Sequence, residues 1–502
     1  MGFMLDEYRR EYADFNTAQM REFYLFLSGQ KDDLEIAPIY DRYGDLFTDD
    51  SIAALKQRLD ETPDHFETER EAIKRLLNFA IDLFLGNSIK VLTETISEYE
   101  SRAEVECAGR RMTFQDAAVA LTKEPDRELR RAIYKGRLSV IEESNDFRAE
   151  RLTGLHESAR SLGYSSYTSL YEEMFKRDYK AFAAECESFL ARTESIYLAC
   201  LDKALRRDLG LKVEEAERFD VAHFLHLTGY DERFPARDLL RIYSETMSGL
   251  GIRVDTQKNI TIDAEPRPRK ISRAFCMPIQ VPEEVKLVIK PSGGQSDYQA
   301  FLHEAGHAQH YGSTSARLRP EFKYTGDYAL TETYAFLFNH LISDSAWLEQ
   351  FLHFGESRSF IRSVTLARLV TVRRYAAKLI YERELHISED YIRSAALYSE
   401  LQTAATGFKT GQTEFLFDLD DAFYSANYLR AWAFEVALRE YLKERFGNSW
   451  WMSRRAGNFL KEIWETGDRY KSDELARQIG VGAIEFDLLI DEFKRALMPQ
   501  AG

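Results

Sequence analysis

Three of the chain's ten histidines stand within eight residues, in His303-Glu304-Ala305-Gly306-His307-Ala308-Gln309-His310. On an α-helix, residues four apart share a face, so the imidazoles of His303 and His307 can close on one metal ion while Glu304 leans over the position left open. Two imidazoles and a carboxylate at that spacing are the parts of metal-assisted hydrolysis, with zinc held by the histidines and the glutamate acting as general base. The plainer alternative is a pair of core histidines on a buried helix face.

The elements around the motif suit that chemistry. Ser296-Asp297-Tyr298-Gln299 has the form of a capping box, and Gly312 stands where a helix would end. Ahead of it, Val285 to Lys290 reads as a strand closed by the turn Pro291-Ser292-Gly293-Gly294. A catalytic zinc site takes three protein ligands and keeps a fourth position for water. A His-x-x-Gly-x-x-His extension would need glycine at 310 and histidine at 313, but those residues are His310 and Ser313. The next helix opens at Asp327 and offers two carboxylates, Asp327 and Glu332, which lie 24 and 29 residues after His303. Glu332 is preferred, because a cap aspartate already has backbone N–H groups to satisfy.

The HExGHxxH form of His303 to His310, with Glu332 downstream, resembles the thimet oligopeptidase and oligoendopeptidase F family of zinc peptidases. The likeness extends to Ala274-Phe275-Cys276 and the Val285 to Lys290 strand, and to the helical segments 126–134 and 159–167, covering roughly residues 120 to 450. It implies one catalytic Zn²⁺ held by His303, His307 and Glu332, with Glu304 as the base. It also implies a mainly α, prolate, two-lobed zincin-like body, with a small sheet beside the metal helix and a deep channel that admits short unfolded peptides.

Phe423-Tyr424-Ser425-Ala426-Asn427-Tyr428 is similar to the family's tyrosine-rich segment. By that match Tyr428 is the oxyanion donor and Tyr424 a substrate contact; otherwise the two are core aromatics at helical spacing. The chain departs from the pattern at Leu419, where a histidine is common, at Ala431, where a third tyrosine falls, and at Asp420, Asp421 and Ala422, which replace loop glycines. Asn339 replaces a second glutamate on the ligand helix, and its amide oxygen can still serve as an outer-shell acceptor for a metal-bound imidazole. His310 and His340 are further outer-shell candidates, with a packing role the simpler reading.

The implied activity is hydrolysis of internal bonds in short peptides. An extended substrate is expected to lie antiparallel to the Val285 to Lys290 strand, because a sheet edge offers backbone groups whatever the substrate's side chains. A related zinc carboxypeptidase would need a cation for the substrate carboxylate, for which Arg317, Arg319 and Lys323 are candidates. A peptide-binding protein with weak turnover, or a zinc hydrolase acting on another amide, would keep the same motif.

Acidic residues outnumber basic ones 83 to 67, a net charge of −16 that disfavours nonspecific nucleic-acid binding. Four dispersed cysteines without a CxxC pair point away from a disulfide framework and toward a reducing compartment. No leader-like start and no 18-residue apolar segment is read, so a cytoplasmic enzyme without a membrane partner is expected. Helical periodicity dominates the N-terminal third, with Ile52, Leu55 and Leu59 behind a cap at Ser51, and Ile73, Leu76, Leu77, Ile81 and Phe84 before Gly86. With no clean linker, the lobe boundary is placed near residue 195, giving an N-terminal helical lobe 1–195 and a catalytic lobe 196–502.

Overall fold

The computed structural model describes residues 3–498 other than Ala108, Ser272 and Glu389, with the side chain of Ile392 also left aside. The protein is mainly α-helical. Its strands are β1 (Glu104–Cys107), β2 (Arg110–Thr113), β3 (Ile260–Asp263), β4 (Phe275–Gln280) and β5 (Glu284–Val288).

The chain forms two compact units that are interleaved in sequence. The first comprises Met1–Asn87, Asp231–Gly355 and Arg430–Ile484; the second comprises Ser88–Tyr230, Glu356–Leu429 and Glu485–Gly502. No single cut describes this division, and residue 195 lies inside the helix Tyr179–Asp208. Hydrophobic surfaces that must meet are supplied by segments hundreds of residues apart, so composition along the chain carries no mark of the boundary.

In the first unit, β5 pairs in parallel with β3 and antiparallel with β4, which makes it the central strand of three. The expected peptide-pairing edge at Val285 to Lys290 is therefore already occupied on both sides, and β3 and β4 are the free edges. Period-2 alternation sends Val285 and Leu287 into the core. The helix Gln295–Ser313 packs against β4 and β5, while the helix Leu5–Leu27 also lies against β4 and pairs Arg21 with Glu284 at 2.8 Å.

Two expected caps are displaced. Gly294 rather than Ser296 is the N-cap of Gln295–Ser313, and the Asp297 carboxylate folds back to accept the Ser292 and Gly293 N–H groups. The helix Asp49–Glu61 is capped by Thr48, whose side chain accepts the Ser51 N–H. Gly86 does not end its helix, which runs on as Glu67–Arg102. That helix does contain an 18-residue window long and apolar enough to cross a membrane, contrary to expectation. Its Ile73, Leu76, Ala80 and Ile81 are buried within the protein, and 39% of that apolar window is buried.

The second unit is built on Arg358–Ser388, packed by Tyr179–Asp208, Tyr391–Thr406 and Asp487–Leu497. The β1–β2 hairpin covers Arg127–Ser161, with Val105, Phe114, Ile133 and Ile141 buried together. Ahead of the helix Tyr424–Phe446, the consecutive residues Ala422 and Phe423 have φ of 56° and 54°, a left-handed conformation that costs non-glycine residues about 1–2 kcal/mol each. The surroundings hold it in place. Glu382 accepts the Asp420 N–H at 2.8 Å and the Ser425 hydroxyl, the Ala422 N–H bonds the Tyr167 hydroxyl at 2.9 Å, and Phe423 stacks on Tyr179. All four cysteines are free thiols, and Cys107, Cys186 and Cys200 are buried.

Candidate metal centre

His303, Glu304 and His307 lie on one stretch of Gln295–Ser313, and Glu332 projects from the neighbouring helix Tyr328–Asn339. What lets those helices meet is Gly306. A Cβ there would stand 2.5 Å from the Tyr334 carbonyl oxygen and 2.6 Å from the Ala335 Cα, so only glycine permits this approach. A glycine inside a helix is unfavourable by about 1 kcal/mol against alanine, a signal for a packing role that the motif reading left unused. Gly312, expected as a helix stop, is also a close approach, against Ile260 of β3.

Across this contact, Glu332 Oε2 lies 3.3 Å from His303 Nε2 and 3.6 Å from His307 Nε2. Donor atoms of all three residues fall within 4.8 Å of one another, the one such group among the described residues. Ligands about 2.0–2.1 Å from a tetrahedral ion stand about 3.4 Å apart, so both separations suit a zinc-sized cation. The histidine side chains are each 12% exposed and Glu332 is 5% exposed, which places the donors in a mostly dry site that solvent still reaches. Burial opposes charge on Glu332, but the two neighbouring imidazoles, His307 foremost, outweigh it and hold the carboxyl well below its usual range. Burial likewise pushes His307 down, and Glu332 and then Glu304 more than reverse it. Two imidazole nitrogens and an ionised carboxylate oxygen are a donor set that zinc accepts.

Asp327, the competing ligand, is the N-cap of its helix. It accepts the Ala329 N–H at 3.2 Å and the Ser472 N–H at 3.0 Å, and stands outside the cluster. Glu304 Oε2 accepts the Cys276 N–H of β4 at 2.8 Å, which fixes the carboxylate at the edge of the sheet. Asn339 bonds Gln299, its Oδ1 accepting from Nε2 at 3.2 Å, in place of the expected outer-shell contact with a ligand imidazole. The outer shell that does form joins His310, an expected candidate, to Thr331, which went unread in the sequence. Thr331, the residue before Glu332, has its Oγ1 2.8 Å from His307 Nδ1 and 3.2 Å from His310 Nδ1. His310 is fully buried, and burial lowers its pKa to about 3, with the Gly467 backbone opposing and His307 adding to the shift, so the ring is neutral.

Tyr424 and Tyr428 belong to the second unit, one turn apart on Tyr424–Phe446 with ring centroids 5.0 Å apart. Both are half-buried, and Tyr428 also meets Tyr375 edge to face at 5.2 Å. Ala431 is fully buried, where a tyrosine would not fit without repacking. Arg319 is paired with Glu69.

No family model matches the sequence, and no curated protein matches it. Solved structures do. PZ peptidase A, determined with an inhibitor, superposes with a TM-score of 0.64 at 16% identity over 97% of this chain and 90% of the peptidase. A crystal structure named "putative peptidase from Chlamydophila abortus" gives 0.64 at 14% identity over 98% and 89% of the two chains. At those identities the likeness is one of architecture, and it spans nearly the whole chain: this protein has the mainly α-helical fold of these peptidase structures.

Proposed function

We propose that the chain is a zinc-dependent oligoendopeptidase that hydrolyses internal bonds of short, unfolded peptides. The observation that carries this reading is the convergence of His303, His307 and Glu332 beside Glu304. The peptidase names of the structures sharing its fold support the reaction class.

His303 and His307 would hold the ion through Nε2 and Glu332 through a carboxylate oxygen. When bound, the ion supplies Lewis-acid chemistry and makes water acidic enough to be used near neutral pH. Glu304, the carboxylate beside the three donors, would act as the base that takes a proton from the attacking water. Its bond from Cys276 holds the carboxylate by Oε2, and the same group then delivers the proton to the departing amine. By resemblance, the Tyr428 hydroxyl donates to the developing oxyanion, a role worth about 2.7–4 kcal/mol, and Tyr424 contacts the substrate. Loss of Glu304 is therefore the more damaging of the two.

For backbone recognition, β4 takes the place expected for β5. Its Cys276 N–H is turned away from β5 and already bonds Glu304, and Pro278 has no N–H. The outward side of β4 thus offers carbonyl acceptors, and a paired peptide would contribute the N–H groups. Such contacts ignore side-chain identity, consistent with broad sequence tolerance.

The test is to incubate zinc-loaded protein with a mixed library of short peptides and map the products by mass spectrometry, with Glu304→Gln alongside. Internal cuts by the wild type that are missing from the variant support the reading. Single residues lost from C-termini would make it a carboxypeptidase, and a folded, zinc-bound wild type that cuts nothing would leave a peptide-binding role or another amide substrate.

A further inference from the structure

We infer that Thr331 and His310 are positioning residues for the metal centre: Thr331 Oγ1 accepts the Nδ1–H of His307, and His310 Nδ1 accepts the Thr331 hydroxyl proton. The inference rests on the metal-centre reading above and assigns work to the third histidine of the motif, which the hydrolytic chemistry leaves unused.

The geometry is specific. One hydroxyl lies 2.8 Å from His307 Nδ1 and 3.2 Å from His310 Nδ1, inside a site where Thr331 is 2% exposed and His310 fully buried. A hydroxyl has one proton and two lone pairs, and a neutral imidazole has one N–H and one acceptor nitrogen. If the hydroxyl proton turns toward His307 Nδ1, that ring must carry its own proton on Nε2, the atom facing Glu332, and cannot ligate. If it turns toward His310, Oγ1 is left to accept from His307 Nδ1–H, and His307 Nε2 is free. His310, with the Tyr311 hydroxyl as a further neighbour of Thr331, thereby keeps the hydroxyl proton away from the ligand imidazole. Carboxylates and backbone carbonyls are the commoner partners of a ligand histidine, and they accept only. A threonine both donates and accepts, so a second residue must set its direction. Because Thr331 adjoins Glu332 on one helical turn, the group that orients His307 is fixed to the backbone that delivers the third ligand.

Zinc affinity of the full chain, measured by competition with a chromophoric chelator, tests this on Thr331→Val, Thr331→Ser, His310→Leu and the Thr331→Val/His310→Leu double variant. The thermal midpoint of each metal-free protein is recorded alongside. Thr331→Val and His310→Leu are each expected to weaken zinc binding by about 10–100-fold, the usual loss for an outer-shell partner. Thr331→Ser should bind close to the wild type, and the double variant no more weakly than the worse single one, since both remove one chain of hydrogen bonds. Equal losses for Thr331→Ser and Thr331→Val, or wild-type affinity in either Thr331→Val or His310→Leu, would overturn the inference. ¹⁵N-histidine spectra of the zinc-loaded wild type decide the matter without any variant. His310 should carry its proton on Nε2, and a proton on Nδ1 refutes the assignment. A wild type that binds no zinc would instead defeat the metal-centre reading itself, an outcome separate from a zinc-binding protein indifferent to Thr331.

Discussion

Replacing Gly306 by alanine tests whether the meeting of two helices, more than the histidine motif alone, makes the metal centre. The added Cβ would stand 2.5 Å from the Tyr334 carbonyl oxygen, 2.6 Å from the Ala335 Cα and 2.9 Å from its nitrogen, whereas ordinary contact begins at 3.4 Å. All three are backbone atoms, so no side-chain rotation relieves the clash, and the helices must part by about 0.9 Å, the difference between 3.4 and 2.5 Å. Metal–ligand distances hold to about ±0.2 Å, so a shift of that size takes Glu332 out of reach of an ion seated on His303 and His307. The overpacking costs about 1–3 kcal/mol, offset by about 0.5–1 kcal/mol because alanine suits a helix better than glycine. Gly306→Ala should therefore fold with a modestly lower thermal midpoint and bind zinc at least about 100-fold more weakly, beyond the range seen for outer-shell losses. Chelator competition reads the affinity and calorimetry of the metal-free protein reads the midpoint. Gly312→Ala is the control, because its Cβ meets the Ile260 side chain instead of backbone and lies away from the ligands. Zinc affinity in Gly306→Ala within a few-fold of the wild type would refute the reasoning.

Glu332→Gln should abolish tight zinc binding while Glu304→Gln retains it, and equal loss in both would place Glu304 among the ligands. Removing zinc with a chelator should lower the thermal midpoint, and restoring it to about 1,000 times Kd should regain about 4 kcal/mol. Burial raises the Asp468 carboxyl from 3.8 to about 7 against the opposing charge of Arg75, with Asp327 adding to the rise. A raised acid binds more protons in the folded state, so its stabilising share is complete below the unfolded value and is lost as pH climbs from 3.8 to about 7. Asp468→Asn, read by urea midpoints, should therefore gain on the wild type across that window, by up to about 4 kcal/mol, and a constant difference would contradict the assignment. Ala422→Gly should be neutral to about 1 kcal/mol stabilising, because relief at a left-handed φ is partly offset by glycine's entropy.

Local chemistry was legible in the sequence and long-range pairing was not. The spacing of His303, Glu304 and His307 is a property of one helix, and the preference for Glu332 over Asp327 followed from what a cap aspartate must do; the structure draws His303, His307 and Glu332 together and commits Asp327 to capping. Strand order could not be read in the same way. β5 becomes central because β3, from an earlier segment, supplies a parallel partner, and no periodicity within β5 reports that neighbour. Asn339 was assigned by counting along a helix, but its amide is taken by Gln299 across the helix pair. Ser296 looked like a cap until Asp297 turned back to the preceding loop.

The interleaving of the two units bears on how the chain is made. The first unit is closed by Arg430–Ile484, which brings the helix Arg454–Trp464 against the histidine helix and Gly467 beside His310. During synthesis the histidine helix and Glu332 leave the ribosome well before those partners exist, and their apolar faces must wait uncovered while the intervening residues are translated. On the proposed zinc reading, the ligand helix pair lacks these partners until residues 430–484 have emerged, so stable metal binding is expected only late in synthesis. Nascent chains halted before residue 430 should be chaperone-dependent and metal-free.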